Sequence, residues 1–226
     1  MKIRNLFILP AICCALALTL GACGEEKKED VKAEIKTQAE DILNFSEDGK
    51  TVTGVKDKSI KSVVIPKGVT SIGRLAFSGC KDLTSITIPD SVTSIGDGAF
   101  SDCSSLTSIT IPDSVTSIGD RAFESCSDLT NVTIPGSVTS IGESAFSRCY
   151  NLKSITIPSG VKSIGKNAFG GCSNLTSVTI PSGVKSIGKS AFEGCSNLTS
   201  ITIPAKFTDE NVKSWNLPLS CKIIRK

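Results

Sequence analysis

LTSITIPDSVTSIGDGAFSDCSS, running from Leu83 to Ser105, decides the fold, because the chain repeats this unit at a fixed period. The dipeptide Ile-Pro ends at Pro66, Pro89, Pro112, Pro135, Pro158, Pro181 and Pro204, each step being 23 residues with no insertion or deletion. Gly73, Gly96, Gly119, Gly142, Gly165 and Gly188 keep the step, as do Phe77, Phe100, Phe123, Phe146, Phe169 and Phe192. Cys80, Cys103, Cys126, Cys149, Cys172 and Cys195 form a fourth column. Within the unit, Ile86 and Ile88 flank polar Thr87, which predicts a short strand with one face buried. Val92 and Ile95, after the Pro, predict a second and shorter extended segment on another side of the coil. Gly96 marks a turn, where either a side chain would clash or φ is positive. Ala99, Phe100 and Cys103, at i, i+1 and i+4, predict a helical or 3₁₀ turn with its apolar side inward.

No single unit of this kind can bury its apolar face. Stacked units share one continuous core, and stability is close to a sum of unit and interface contributions. A period of roughly 20–29 residues on a Leu/Ile framework is the pattern of a leucine-rich-repeat solenoid. The expected fold is an α/β-type repeat solenoid, mainly β: a right-handed solenoid of about seven 23-residue rungs with a cap at each end.

Outward from the repeat, residues 60–204 form the solenoid and both ends need covers. Residues 31–59 are the expected N-terminal cap. Val31, Ile35, Ala39 and Ile42 or Leu43 recur at helical spacing, and Asp48-Gly49 between β-compatible residues predicts a hairpin turn. Residues 205–226 are the expected C-terminal cap: Thr208-Asp209-Glu210-Asn211 reads as an N-capped helix start. Val212, Trp215 and Leu217 then close the core, and Cys221 to Ile224 form a last strand. GEEKKED at 24–30 is nearly all charge and, with Cys23, reads as a solvated tether spanning 23–30.

Residues 1–22 read as an export signal: Lys2 and Arg4 precede an apolar run from Leu6 to Leu20 that is too short for a convincing membrane span. Leu20-Gly21-Ala22-Cys23 resembles a bacterial lipobox, in which the Cys is diacylated and becomes the new N-terminus. On that resemblance Cys23 is the lipidation site, and the protein is held at the membrane by acyl chains worth about 0.8 kcal/mol per buried methylene. Gly24 is not the retention Asp that keeps some Gram-negative lipoproteins at the inner membrane, which favours the outer membrane or the cell surface. Removing Lys2 and Arg4 lowers the net charge from +3 by two.

Composition excludes several functions. The 226 residues contain no His, so His-based triads, His metal ligation and His acid–base catalysis are absent. Aromatics are 5%, too few for base-stacking platforms, and the small net charge gives no signature of nucleic-acid binding.

The unit L-x-x-I-x-I-P-x-x-V-x-x-I-G-x-x-A-F-x-x-C resembles the BspA-type leucine-rich repeat of bacterial surface proteins and of some parasitic protists, over about residues 60–204. The resemblance implies a curved solenoid with the Leu-to-Pro strand on its concave side. It also implies display at the cell surface and, in some members, binding to host matrix proteins. Such activities do not transfer on fold alone.

Three groups of residues are candidates for chemistry. The repeat cysteines, in an exported chain, pose the question of disulfides. Stacked at sheet spacing their Cα atoms fall in the bonding range, but equivalent side chains in a ladder point in parallel, so buried free thiols are expected. They form a line and not a tetrahedron, so no metal site and no cofactor is expected. Second, the strand exposes two polar columns: Ser85, Ser108, Asn131, Ser154, Ser177 and Ser200 beside Thr87, Thr110, Thr133, Thr156, Thr179 and Thr202. Thr is a good strand former and repeats copy it; the same columns also make a hydroxyl surface that suits a protein or a glycan. Third, charge is split along the chain. Nine acids and only Arg121 lie between Asp82 and Glu143, whereas six bases and no acid lie between Ser144 and Phe192. Lys162 stacks with Lys185 and Lys166 with Lys189, a candidate polyanion patch, or solvated side chains copied by duplication.

Asp90/Asp113 and Asp97/Asp120 are carboxylate columns on a repeat surface with no evident pocket, and no enzyme is expected. The Asn-x-Thr triplets at Asn131, Asn174 and Asn197 matter only in a eukaryote. The expected function is non-catalytic binding of a protein or glycan at the surface of a bacterium, with adhesion to host or matrix leading. The alternative is an envelope scaffold or spacer that contacts a partner protein of the same cell. The membrane is reached through the lipid anchor, no nucleic acid is expected, and the sequence leaves the oligomeric state open.

Overall fold

Residues 41–226 are described in the computed structural model. The expected signal peptide, Cys23, the tether and the helical spacing from Val31 to Ala39 lie outside the described residues. Asp41 and Ile42 are helical, and two strands follow. β1 (Leu43–Phe45) and β2 (Thr51–Val55) pair antiparallel, and the chain turns between them at Gly49 with φ +68°. Leu43 therefore belongs to a strand rather than to the end of a helix.

Each rung then supplies two strands. The longer one centres on an inward Ile or Val, with polar neighbours on both sides in every rung but the first: β3 (Ser62–Val64), β5 (Ser85–Thr87), β7 (Ser108–Thr110), β9 (Asn131–Thr133), β11 (Ser154–Thr156), β13 (Ser177–Thr179) and β15 (Ser200–Ile203). The shorter one follows the Pro turn: β4 (Ser71–Ile72), β6 (Ser94–Ile95), β8 (Ser117–Ile118), β10 (Ser140–Ile141), β12 (Ser163–Ile164) and β14 (Ser186–Ile187). Helix α1 (Asp209–Ser214) and strand β16 (Lys222–Arg225) complete the chain, so the last strand begins one residue later than the sequence suggests. With β16 included the solenoid makes about eight turns, one more than the seven rungs read from the prolines.

All rung-to-rung pairings are parallel and shifted by one repeat, as in Ser94↔Ser117 and Ile95↔Ile118. The short strands extend β1 and β2 into an unbroken eight-stranded sheet. The longer strands form three separate ladders, β3–β5, β7–β9–β11 and β13–β15–β16. Strand geometry alternates the side chains, so Ile109 is 5% exposed between exposed Ser108 and Thr110.

The core is a set of parallel columns. The six repeat phenylalanines are fully buried, and successive rings stack nearly parallel at centroid distances between 5.2 and 5.7 Å. Such offset stacking adds about 0.5–1.5 kcal/mol per pair beyond burial. At the C-terminal end Trp215, 1% exposed, meets Phe207 edge-on at 5.2 Å and seals the last rung. Thr208 caps α1 through a reciprocal pair of hydrogen bonds with Asn211, the start that its sequence predicts.

The segment expected to be a helical or 3₁₀ turn within each rung is a chain of single turns. Cys103 N–H donates to Phe100 C=O at 3.2 Å and Leu106 N–H to Cys103 C=O at 3.1 Å, i→i−3 bonds that never propagate. The reason is two left-handed residues per rung. One column is Leu75, Gly98, Arg121, Ser144, Asn167 and Ser190, with φ between 52° and 59°. The other is Gly79, Asp102, Ser125, Arg148, Gly171 and Gly194. A helix cannot pass through either position. Among the described residues, α-helix is therefore confined to Asp41 and Ile42 before β1 and to α1, and the strand-rich repeat carries the fold.

Gly96 itself is not left-handed. A Cβ there would lie 2.9 Å from Arg74 N and Gly73 C of the preceding rung, so close approach of backbones is what excludes a side chain. By the same logic Ser125→Gly, at φ 60° in a column already holding Gly79, Gly171 and Gly194, should stabilise the protein. The expected gain is about 0.5–1 kcal/mol, the left-handed penalty less the entropy cost of glycine, read as a raised midpoint in urea.

Candidate functional site

Polar side chains on the solenoid fall into two classes. Many hydroxyls reach back one rung and hydrogen-bond to its backbone. Thr130 Oγ1 donates to Thr107 C=O at 3.1 Å and Thr199 Oγ1 to Thr176 C=O at 3.1 Å. On the Pro turn Ser114 Oγ donates to Val92 C=O at 2.5 Å and Ser137 Oγ to Val115 C=O at 2.6 Å. These groups bind the stack together and spend their donor hydrogen within it.

The two strand columns behave differently. Ser85, Ser108, Asn131, Ser154 and Ser177 are exposed, and so are Thr87, Thr110, Thr133, Thr156 and Thr179. Among the described residues none of the hydroxyls in these two columns has a hydrogen-bond partner within the protein; Asn131 alone bonds, through Nδ2 to Thr130 Oγ1 at 3.2 Å. Ser200 and Thr202 are half-buried, because β16 pairs beside them through Lys222 and Ile224. The long-strand face is thus a ribbon of free hydroxyls, one rung apart, with no charged residue in either column through five successive rungs.

The lysine candidates lie around the other ladder. Lys162 and Lys185 enter β12 and β14, and their backbones are in register, with Lys185 N–H donating to Lys162 C=O at 2.7 Å. Lys166 and Lys189 leave the same strands, and all four are exposed. Lys166 Nζ lies 3.7 Å from Glu143 Oε1, so the column passes from acid to base through an ion pair and Lys166 is partly neutralised. An exposed pair of this kind contributes about 0–1 kcal/mol. Lys162, Lys185 and Lys189 pair with no carboxylate among the described residues. The carboxylates upstream serve the stack: Asp97 Oδ1 accepts from Asp120 N–H at 3.0 Å and Asp120 Oδ1 from Glu143 N–H at 2.6 Å.

The six repeat cysteines are buried and free. Each Sγ from Cys103 onward donates to the Phe carbonyl one rung back, as in Cys149 to Phe123 C=O at 3.2 Å. Burial, then the neighbouring thiol, pushes the Cys103 thiol up to about 12 from 9.0. Burial pushes Cys126, Cys149 and Cys172 well above their ordinary value. Below the ordinary thiol range both folded and unfolded chains keep these protons, so stability does not depend on them. As pH rises from 9.0 towards about 12 only the unfolded chain ionises, so stability should fall across that window. At pH ~8 iodoacetamide should modify half-buried Cys221 and leave the column thiols intact until denaturant is added, which peptide mass spectrometry reads directly.

One ladder was not anticipated as such. Asn151 Nδ2 donates to Asp128 Oδ1, Asn174 Nδ2 to Asn151 Oδ1 and Asn197 Nδ2 to Asn174 Oδ1, at 3.2–3.3 Å. Its signal in the sequence is the 23-residue spacing of Asp128, Asn151, Asn174 and Asn197. Among the described residues no group of three or more Cys, Asp or Glu is placed to hold a metal ion, and no helix is long and apolar enough to cross a membrane.

The comparisons agree with this architecture. The crystal structure of the T. pallidum leucine rich repeat protein superposes with TM-score 0.67 and 30% identity, over 83% of this chain and 98% of that one. A leucine rich cell surface protein from Faecalibacterium prausnitzii A2-165 is 29% identical with TM-score 0.39, over 74% of this chain and 60% of that one. A leucine-rich repeat protein from Bacteroides ovatus is 25% identical with TM-score 0.42, over 74% of this chain and 66% of that one. No curated protein matches the chain. The model of the BspA type leucine rich repeat region matches residues 55–174 and 139–216 in six copies. With that repeat spanning most of its length, the chain belongs to the BspA-type leucine-rich-repeat family.

Proposed function

We propose that the protein is a lipid-anchored bacterial surface protein that binds another macromolecule without catalysis, adhesion to a host or matrix protein being the role its surface fits best. The observation that carries this reading is the ribbon of unpartnered hydroxyls along the long strands. Neighbouring columns direct the same side chains into the stack, whereas Thr87 to Thr179 and Ser85 to Ser177 hold theirs free and exposed. Free donors and acceptors on a β surface suit a protein partner, whose affinity then rests on hydrogen bonds and contact area rather than on charge. Cys23 supplies the anchor in this reading. A basic flank at Lys162, Lys166, Lys185 and Lys189 that takes a polyanionic glycan is the second reading, favoured by three lysines without an acidic neighbour.

Purified protein applied to immobilised matrix proteins and glycans separates the two. Thr133→Glu with Thr156→Glu should abolish binding, and replacing the four lysines by alanine should leave it intact. The reverse pattern assigns binding to the basic flank. Absence of binding to every surface refutes the adhesive role and leaves a same-cell partner or a spacer. Cys23→Ser should release the protein from the membrane fraction.

A further inference from the structure

Three columns of rung-to-rung backbone hydrogen bonds follow the solenoid, the long-strand one in three separate ladders, and the C-terminal cap closes only two. The long-strand ladder ends on β16, where Lys222 N–H donates to Thr199 C=O at 2.8 Å. The turn ladder ends on the last turn of α1, with Ser190 N–H donating to Ser214 C=O at 2.7 Å and Phe192 N–H to Trp215 C=O at 3.2 Å. The short-strand ladder ends at β14, and no described strand pairs beyond it. In the preceding rung Lys162 C=O accepts from Lys185 N–H at 2.7 Å and Ile164 C=O from Gly188 N–H at 2.8 Å. The equivalent carbonyls, of Lys185 and Ile187, have no partner among the described residues.

A depression of about 270 Å³ lies at this edge, lined by Lys185, Ser186, Ile187, Lys206, Asn211 and Trp215 together with Phe207. Ile187 is half-buried there, whereas Ile72, Ile95, Ile118, Ile141 and Ile164 of the same column are at most 2% exposed. Two ammonium groups flank the slot and no carboxylate lines it. Lys206 is held in place, its Nζ donating to Ser182 C=O at 2.8 Å and sitting 5.6 Å from the centre of the Phe207 ring.

We infer that the slot between β14 and the cap is a docking site for a short, extended, acidic peptide segment of a partner protein, which adds as a ninth parallel strand to the eight-stranded sheet. Two N–H groups on one edge of the segment donate to Lys185 C=O and Ile187 C=O, the mode in which strand addition gains affinity from main-chain bonds. Acidic side chains of the segment face Lys185 and Lys206, and apolar ones cover Ile187. Each carbonyl gains the donor that its counterpart has in every inner rung. Charge selects the occupant: two cations without an anion disfavour a basic or neutral strand. The site is separate from the long-strand hydroxyl face, and either can fail without the other.

Trp215, the only tryptophan, lines the slot and reports on it. The probe is a capped peptide Thr-Glu-Val-Glu-Val, titrated into purified protein while tryptophan emission is followed. Saturable change is expected. The same peptide N-methylated at alternate amides should bind at least about tenfold more weakly, since it lacks the donors. Its Lys-for-Glu counterpart should not bind. Lys206→Glu and, separately, Lys185→Glu should each weaken the acidic peptide by about tenfold or more with an unchanged urea midpoint. Absence of saturation overturns the proposal, as does equal binding of the N-methylated or the basic peptide. Dimerisation of the protein alone that occludes Trp215 overturns it too, because a second copy would then be the occupant.

Discussion

Phe146→Ala is expected to lower stability by about 3–5 kcal/mol, the range for emptying a buried aromatic site. Phe146 is fully buried and stacks on two rings, Phe123 at 5.2 Å and Phe169 at 5.7 Å, so one substitution breaks two contacts of the column. Collapse cannot refill the space, because the rungs on either side are held at their spacing by backbone bonds such as Phe146 N–H to Ala168 C=O at 2.8 Å. Chemical denaturation followed by circular dichroism reads the effect. Phe77→Ala, at the end of the column with one ring partner, should cost less by about one stacking contribution. An equal loss at both positions would show that the stack does not act through nearest neighbours.

Gly142→Ala is expected to cost at least about 2 kcal/mol, in the manner of an overpacked core. A Cβ on Gly142 would lie 2.6 Å from Asp120 N, Gly119 C and Gly119 O, all of them backbone of the preceding rung. The rung cannot retreat without breaking the bond from Gly142 N–H to Ile118 C=O at 3.0 Å. Gly136→Ala is the control, since a Cβ there meets nothing within 4 Å and φ is not left-handed. That change should be neutral or stabilising by up to about 1 kcal/mol through the unfolded chain. Thermal midpoints of the two variants settle the matter: similar midpoints would mean that the glycine column is not a contact between backbones.

Much of this was legible in the sequence, because a repeat in register displays its own burial pattern. The Leu, Ile, Val, Phe and Cys columns read as inward are inward apart from half-buried Ile86 and Ile187, and the Thr and Ser columns of the long strand are exposed as far as Thr179. The departures have a common cause. Leu75, Arg121 and Ser144 adopt left-handed backbone, and nothing in those residue types marks the position; Gly98 and Asn167 in the same column hint at it. That the segment makes single turns and no continuous helix follows from these residues. Whether a hydroxyl is free was equally hidden. Thr130 and Thr133 look alike in sequence, but Thr130 sits where the pitch of the solenoid brings a carbonyl within reach and Thr133 faces outward beside its strand. The open edge at β14 was illegible for a simpler reason. The cap residues show that the core is covered, not which of three ladders the cover reaches.

The functional proposal turns on whether contact is made by uncharged hydroxyls or by lysines, and the salt dependence of affinity decides it most directly. Binding of the purified protein to its matrix partner would be measured from about 0.05 M to about 0.5 M salt, over which the screening length falls roughly threefold. Affinity through the Ser85–Thr179 ribbon should change little across the range. An affinity that falls steeply with salt would contradict the hydroxyl face and place the contact on Lys162, Lys166, Lys185 and Lys189.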